Sequence, residues 1–329
     1  MTTANEIKET ARQFGADLVG IGSMDRFDGT APENDPRFIA PQAKSIIGLG
    51  FRILRGSLRG IKEGTHYFQY PEVSVSSLDE RFIPDVLRRT ACWLEDRGYE
   101  GVVQRSVPDR RPDGDMGTNP ERPYLHKLKA VPMASGKPAP DVLINWLQAA
   151  YVCGLGEIGW GGFFLTPEFG PLQRFAFILT DAPLSPDPLY AGASLCDRCG
   201  KCIRACPGRA IVPEKERVLT FAGHSISSAT LDEWQCAAYY AGAHLPSNPF
   251  LRSDAFDHEP EGADIASGRK RLTAGEAERI LQIVTSAYGA VNFRYSACIC
   301  GRACYRACLD HLEEHGRLKN SFCCHSPNQ

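Results

Sequence analysis

Cys196, Cys199, Cys202 and Cys206, with Pro207 directly after them, constrain this 329-residue chain more than any other feature. The spacing C-x2-C-x2-C-x3-C-P wraps one loop around one face of a cubane, so three thiolates reach three irons without straining the backbone. The fourth cysteine lies past the turn and points to a different cubane, so the run asks for a second cysteine group. Cys298, Cys300, Cys304 and Cys308 supply it, and an isolated Cys236 stands between the two. The crossing pattern predicts two [4Fe–4S] clusters, the first on Cys196, Cys199, Cys202 and Cys308, the second on Cys206, Cys236, Cys300 and Cys304. Cys298 is the alternative to Cys300, and zinc is the rival metal because C-x2-C pairs also bind it. A helix is expected to begin near Pro207. A chain holding two such clusters moves electrons one at a time.

Nine of the thirteen cysteines fall between Cys196 and Cys308. That clustering reads as metal ligation in a reducing compartment rather than as disulfide staples. The polar start, Met1 to Glu9, has no apolar leader, and no run of 18 apolar residues occurs, so a cytoplasmic chain with no membrane partner is expected. A formal net charge of −2 leaves no basic excess for nucleic acid.

Apolar spacing predicts a helix over residues 4–14 that stops at Gly15, then a strand over 16–22. Further strands are expected at 45–51, 99–103 and 175–179, and helices at 83–97 and from Asp141 to about Val152. The alternation argues for an α/β core over residues 1–190. Residues 183–193 read as a linker into a cluster domain over 191–329, within which 245–268 look like an aperiodic insertion. Residues 107–123 read as a surface loop. Cys92 is expected in a helical core face, Cys323 and Cys324 in an exposed tail, and His311 and His315 on an exposed helix.

The segment Gly154-Leu155-Gly156-Glu157-Ile158-Gly159-Trp160-Gly161-Gly162 allows close backbone approach to a flat ligand and offers N–H groups. A structural turn and a nucleotide loop are the alternatives. The last is disfavoured because a helical pattern, not a strand, precedes the glycines.

This segment, with Leu165-Thr166-Pro167-Glu168-Phe169-Gly170-Pro171 and Leu179-Thr180-Asp181-Ala182-Pro183-Leu184, resembles the stretch before the clusters in cobalamin-dependent reductive dehalogenases and the related epoxyqueuosine reductases. Gly15 to Ile21, Gly98-Tyr99 and the isolated Cys236 are similar too. The resemblance implies an α+β fold: a nitroreductase-like α/β corrinoid-binding core followed by a ferredoxin-like two-cluster domain. It implies cobalamin against Gly154, Gly156, Glu157, Gly159, Trp160 and Gly161, although Glu157 also suits a purely structural role closing the turn. It implies reductive cleavage of a carbon–halogen bond in a small organic substrate, with electrons from an external donor (a ferredoxin, flavodoxin or reductase). Epoxide reduction of the epoxyqueuosine kind is the alternative, and only that reading would bring in a nucleic acid. An electron carrier or corrinoid-handling protein without substrate chemistry is the third.

Two features depart from the family pattern. Trp160 stands where a basic residue is usual, so it can wall an apolar pocket but cannot polarise a halide. Residues 135–141 also do not match the acidic stretch of the epoxyqueuosine reductases. For the proton, Tyr124 and Lys127, with His126 and Lys129 nearby, form the densest titratable group upstream of the glycines. A lysine beside a tyrosine makes it the more acidic donor. A solvated basic strand is the plainer reading of that group, and His66, Tyr67 and Tyr70 are a second candidate set.

Overall fold

The computed structural model describes residues 3–105, 132–221, 223–288 and 298–320. The first helix, α1 (Ala4–Phe14), forms where a capping box between Thr3 and Glu6 satisfies its first N–H groups. It stops at Gly15, whose φ of 118° an L side chain would resist. Next come β1 (Leu18–Ser23), β2 (Ser45–Arg52), two short helices, α2 (Arg59–Glu63) and α3 (Gln69–Pro71), and a π-helical stretch over Glu72–Phe82. That stretch leads into α4 (Ile83–Glu95), then β3 (Gly101–Gln104) and α5 (Trp146–Val152). A two-residue ladder pairs β4 (Glu157–Ile158) with β5 (Phe164–Leu165), and β6 (Gln173–Thr180) completes the first half.

The main sheet runs β1-β2-β6-β3 with every neighbour antiparallel. The helix–strand alternation therefore does not build parallel crossovers, and the architecture is mixed helix and sheet. Ile47, Leu49 and Ile178 face α1 and α4, where Ile7, Ala11, Val86 and Leu87 meet them. Ile46, Phe175, Phe177 and Leu179 alternate onto the other face against α5 and Phe221. Gly20 lets the end of α5 come this close: a Cβ there would lie 2.2 Å from the Cys153 carbonyl oxygen. Helix α5 begins at Trp146 rather than Asp141, because the Asn145 side chain caps it by accepting from Leu147 and Gln148.

Residues 183–193 are anchored rather than loose. Leu184 is buried with the α1 face, and Asp187 both donates its N–H to the Ile21 carbonyl and accepts the Ile21 N–H at 2.8 Å. Beyond them lie α6 (Lys201–Arg204), a hairpin of β7 (Ile211–Phe221) and β8 (His224–Leu231), α7 (Glu233–Ala241), α8 (Gly262–Ala266), α9 (Ala274–Ser286) and α10 (Ala303–Glu314). No helix begins at Pro207. Arg209 turns left-handed (φ 50°) and the chain leaves as β7, returning Phe221 to the core of the first half. Residues 245–268 carry the short helix α8 and bury Phe256 and Ile265 against α7 and α9. Apolar clusters join the two halves: Phe163 and Leu165 with Leu195 and Leu312, and Ile53, Leu58 and Tyr70 with Leu309. Among the described residues no helix is long and apolar enough to cross a membrane.

Candidate metal centres and the segment beside them

The eleven described cysteines are all free thiols. Eight of them fall into two groups that feel one another's charge. Burial, followed by Cys196 and Cys199, pushes the Cys202 thiol up to about 11. Cys308, carried in from α10, is raised first by burial and then by Cys202, Cys196 and Cys199. These four line a small cavity of about 20 Å³, closed on one side by Gly159, Trp160 and Gly161. In the second group, burial and then Cys300 and Cys206 push Cys236 up to about 12. Burial and Cys206 push Cys300 to about 11, against the hydrogen bond from Ala303. Cys304 is raised by burial and by Cys300, Cys236 and Cys206. Cys196, Cys199, Cys202 and Cys308 thus form one group of neighbouring thiols, and Cys206, Cys236, Cys300 and Cys304 another.

Cys298 stands apart. It is buried among Ile53, Leu58 and Tyr70, shares a hydrogen bond with Tyr240, and has Arg302 and Arg174 as its charged neighbours.

Both quartets suit an iron–sulfur cubane on three counts. Buried thiols that repel one another's ionised forms become thiolates once a cationic metal core supplies the compensating charge. Backbone N–H groups already point at sulfur: Trp160 to Cys196 (3.2 Å), Ala210 to Cys206 (3.2 Å) and Ala303 to Cys300 (3.4 Å). Left-handed residues flank the ligand positions, with Arg198 and Gly200 at the first quartet and Gly301 and Arg302 at the second. Such turns direct successive N–H groups into one anion-binding concavity.

The surroundings of the quartets include residues that spacing did not single out. Asp197 accepts from His311 (2.8 Å), from the Cys199 N–H (3.1 Å) and from Arg317 (3.0 Å). The His311 bond, more than any other influence, holds its carboxyl down to about 2. His311 is therefore buried at 6% exposure, not exposed as the charged helix suggested, while His315 lies outside it. Its place three residues after Cys308 on a helix is the signal that would have found it. At the second quartet Arg302 donates from Nε to the buried Tyr70 hydroxyl (2.6 Å) and lies 4.6 Å over the Tyr305 ring. Tyr70 is thus no surface aromatic. Tyr67 packs against Phe250 and Tyr288, and His66 is exposed. Cys92 is half-buried rather than core. Tyr124, His126, Lys127 and Lys129 lie outside the described residues, as do residues 107–123, Cys323 and Cys324.

The glycine segment is engaged with protein. A Cβ on Gly154 would meet the Pro188 carbonyl oxygen at 2.3 Å, and one on Gly156 the Leu165 carbonyl oxygen at 2.0 Å. One on Gly159 would touch Leu165, and one on Gly161 would lie 3.0 Å from the Cys202 sulfur. The N–H groups of Gly154, Leu155, Gly159 and Gly162 donate to backbone carbonyls, and that of Trp160 to Cys196. Glu157 accepts the Cys196 N–H at 2.6 Å and the Ser194 hydroxyl at 3.3 Å. The close approach at Gly154, Gly156, Gly159 and Gly161, and the N–H donors of Gly154, Leu155, Gly159, Trp160 and Gly162, are thus used within the protein.

No protein-family model matches the chain. Over 124 residues it is 35% identical to the tetrachloroethene reductive dehalogenase of Sulfurospirillum multivorans, covering 33% of this chain and 24% of that protein. Over 205 residues it is 39% identical to an epoxyqueuosine reductase of Synechococcus, covering 59% of this chain and 49% of that protein. The matches thus take in at most about half the length of these curated relatives. The solved structure of a catabolic reductive dehalogenase variant aligns with a TM-score of 0.50 at 17% identity, covering 86% of this chain and 35% of that one, a likeness of fold alone.

The named relatives are reductases. More narrowly, the chain is a homologue of the reductive dehalogenases and epoxyqueuosine reductases, the superfamily its cysteine and glycine motifs resemble.

Proposed function

We propose that the chain is an iron–sulfur reductase whose two thiol quartets each hold a [4Fe–4S] cluster and which cleaves a carbon–halogen bond of a small organic substrate. The observation that carries this reading is the assembly of eight cysteines from three stretches of chain into two mutually close sets. When bound, the clusters supply storage and transfer of single electrons. The protein's own residues do the rest. Glu157 and Asp197 pin the loop that carries Cys196 and Cys199, Trp160 and Ala210 direct N–H groups at sulfur, and Leu195, Phe163 and Leu312 pack against the inner side of the first quartet.

In this reading residues 1–190 form the substrate-facing core and 191–329 the cluster-bearing part. The overall change is R–X plus two electrons and one proton giving R–H and halide, with the electrons supplied by an external donor. Tyr124 and Lys127 are the proposed source of the proton. The corrinoid that the resemblance implies would lie against Gly154, Gly156, Glu157, Gly159, Trp160 and Gly161, and no step here passes through it. Epoxide reduction is the second reading, favoured by the longer match to the epoxyqueuosine reductase.

Anaerobic purification with iron and sulfide analysis and electron paramagnetic resonance tests the clusters, and about eight irons per chain is expected. Far fewer irons, or zinc in their place, would overturn the reading. Assays of halogenated aromatics against an epoxyqueuosine-bearing stem-loop then separate the two reactions.

A further inference from the structure

The first quartet reaches the surface. Ala191 to Ser194, Asp197 and Arg198 are exposed, while Cys196 and Cys199 are half-buried beneath them. Arg198 sits at φ 58°, a left-handed conformation that arginine seldom adopts. Its guanidinium lies 4.4 Å over the indole of Trp160, whose backbone N–H is on the Cys196 sulfur. Arg204, also exposed, donates to the Cys199 carbonyl at 2.9 Å.

The charge at this face is not cancelled. Lys201, Arg317 and Lys319 are paired with Glu314, Asp197 and Glu168. Among the described residues Arg198 and Arg204 have no carboxylate partner. From Cys196 to Arg209 the chain carries four cations and one carboxylate, within a protein of net charge −2. Arg198 and Arg204, set against the Glu157 carboxylate on the Cys196 N–H, leave a local excess of positive charge beside the first quartet.

We propose that this face, Arg198 and Arg204 around the first quartet with Trp160 beneath, docks a small acidic one-electron carrier of the flavodoxin kind. The inference rests on the cluster reading above and adds the place of electron entry. Opposite charge steers the carrier and orients it, and a left-handed arginine held over an indole presents a cationic, partly apolar contact. The carrier's anionic flavin hydroquinone gives up one electron and becomes the neutral semiquinone. The oxidised cluster on the first quartet gains that electron, no bond forms or breaks, and no proton moves.

The test uses the holoprotein, with iron counted on every preparation. Arg198→Asn keeps a residue that tolerates the left-handed turn, and Arg204→Gln keeps a donor to the Cys199 carbonyl, so the double variant removes charge with the loop intact. Calorimetric binding of oxidised flavodoxin at low and high salt is the first readout, and stopped-flow bleaching by flavodoxin hydroquinone the second. At full iron content the double variant should bind about tenfold more weakly at low salt and lose most of its salt dependence. Reduction by the methyl viologen radical cation should be unchanged or faster. Unaltered flavodoxin binding, or equal loss with both reductants, would overturn the docking face. Wild-type protein without iron would overturn the cluster reading and this inference with it.

Discussion

Replacing Glu157 by alanine gives the sharpest test of how the first quartet is held. Its carboxylate accepts the Cys196 N–H at 2.6 Å and the Ser194 hydroxyl at 3.3 Å. Ser194 is exposed and turns to water at little cost, but the Cys196 N–H beside the buried Leu195 loses its partner. A hydrogen bond to a charged acceptor contributes about 1.5–3 kcal/mol, so about 2 kcal/mol is expected to be lost. At an unfolding entropy of roughly 2.1 cal/mol/K per residue, that is a fall of about 3 °C in the melting temperature. Glutamine retains a neutral acceptor and should cost about half as much. The loop bearing Cys196 and Cys199 should loosen selectively, so anaerobic Glu157→Ala should fall from about eight irons towards about four. Differential scanning fluorimetry and iron analysis on the same samples provide the check. A melting point and iron content equal to wild type would refute the assignment of Glu157 as the clamp on this loop.

The other predictions bear on neighbouring groups. Cys308→Ala should lose the iron of the first quartet while Cys298→Ala keeps all of it, because Cys298 is engaged with Tyr240 away from both sets; the same iron analysis distinguishes them. Tyr70→Phe removes the hydroxyl that accepts from Arg302 Nε and should lower stability by about 2 kcal/mol in urea unfolding. Burial pushes the Cys153 thiol from its ordinary 9.0 up to about 12. The folded state thus holds this proton more tightly than the unfolded chain, so its contribution is intact below pH 9 and declines as pH rises from 9 towards 12. Between pH 8 and 10 wild type should lose about 1.4 kcal/mol more than Cys153→Ala, and parallel curves would refute the burial argument. Gly20→Ala drives a methyl to 2.2 Å from the Cys153 carbonyl oxygen and should destabilise by about 3 kcal/mol or more.

Local pattern is legible wherever a single element decides it. Helix α1 spans residues 4–14 and ends at Gly15 as expected, and the strand over Ser45–Arg52 carries the apolar run foreseen for it. The strand around Phe175–Leu179 is likewise in place. Expectations failed where a turn or a distant partner decides. Spacing cannot show that Arg209 turns left-handed and sends the chain into β7, or that Asp187 ties residues 183–193 to β1.

The cysteine spacing by itself indicated which thiols come together from distant groups, because ligand-like geometry is written in short intervals along the chain. Tertiary structure decided everything that depends on what comes close from elsewhere. It set Cys298 aside with Tyr240, and it buried His311 against Asp197 and Tyr70 against Arg302. It also spent the glycines of residues 154–162 on packing beside the first quartet. Whether a glycine admits a ligand or a neighbouring carbonyl depends on which atom fills the space where a Cβ would stand, and no interval along the chain encodes that.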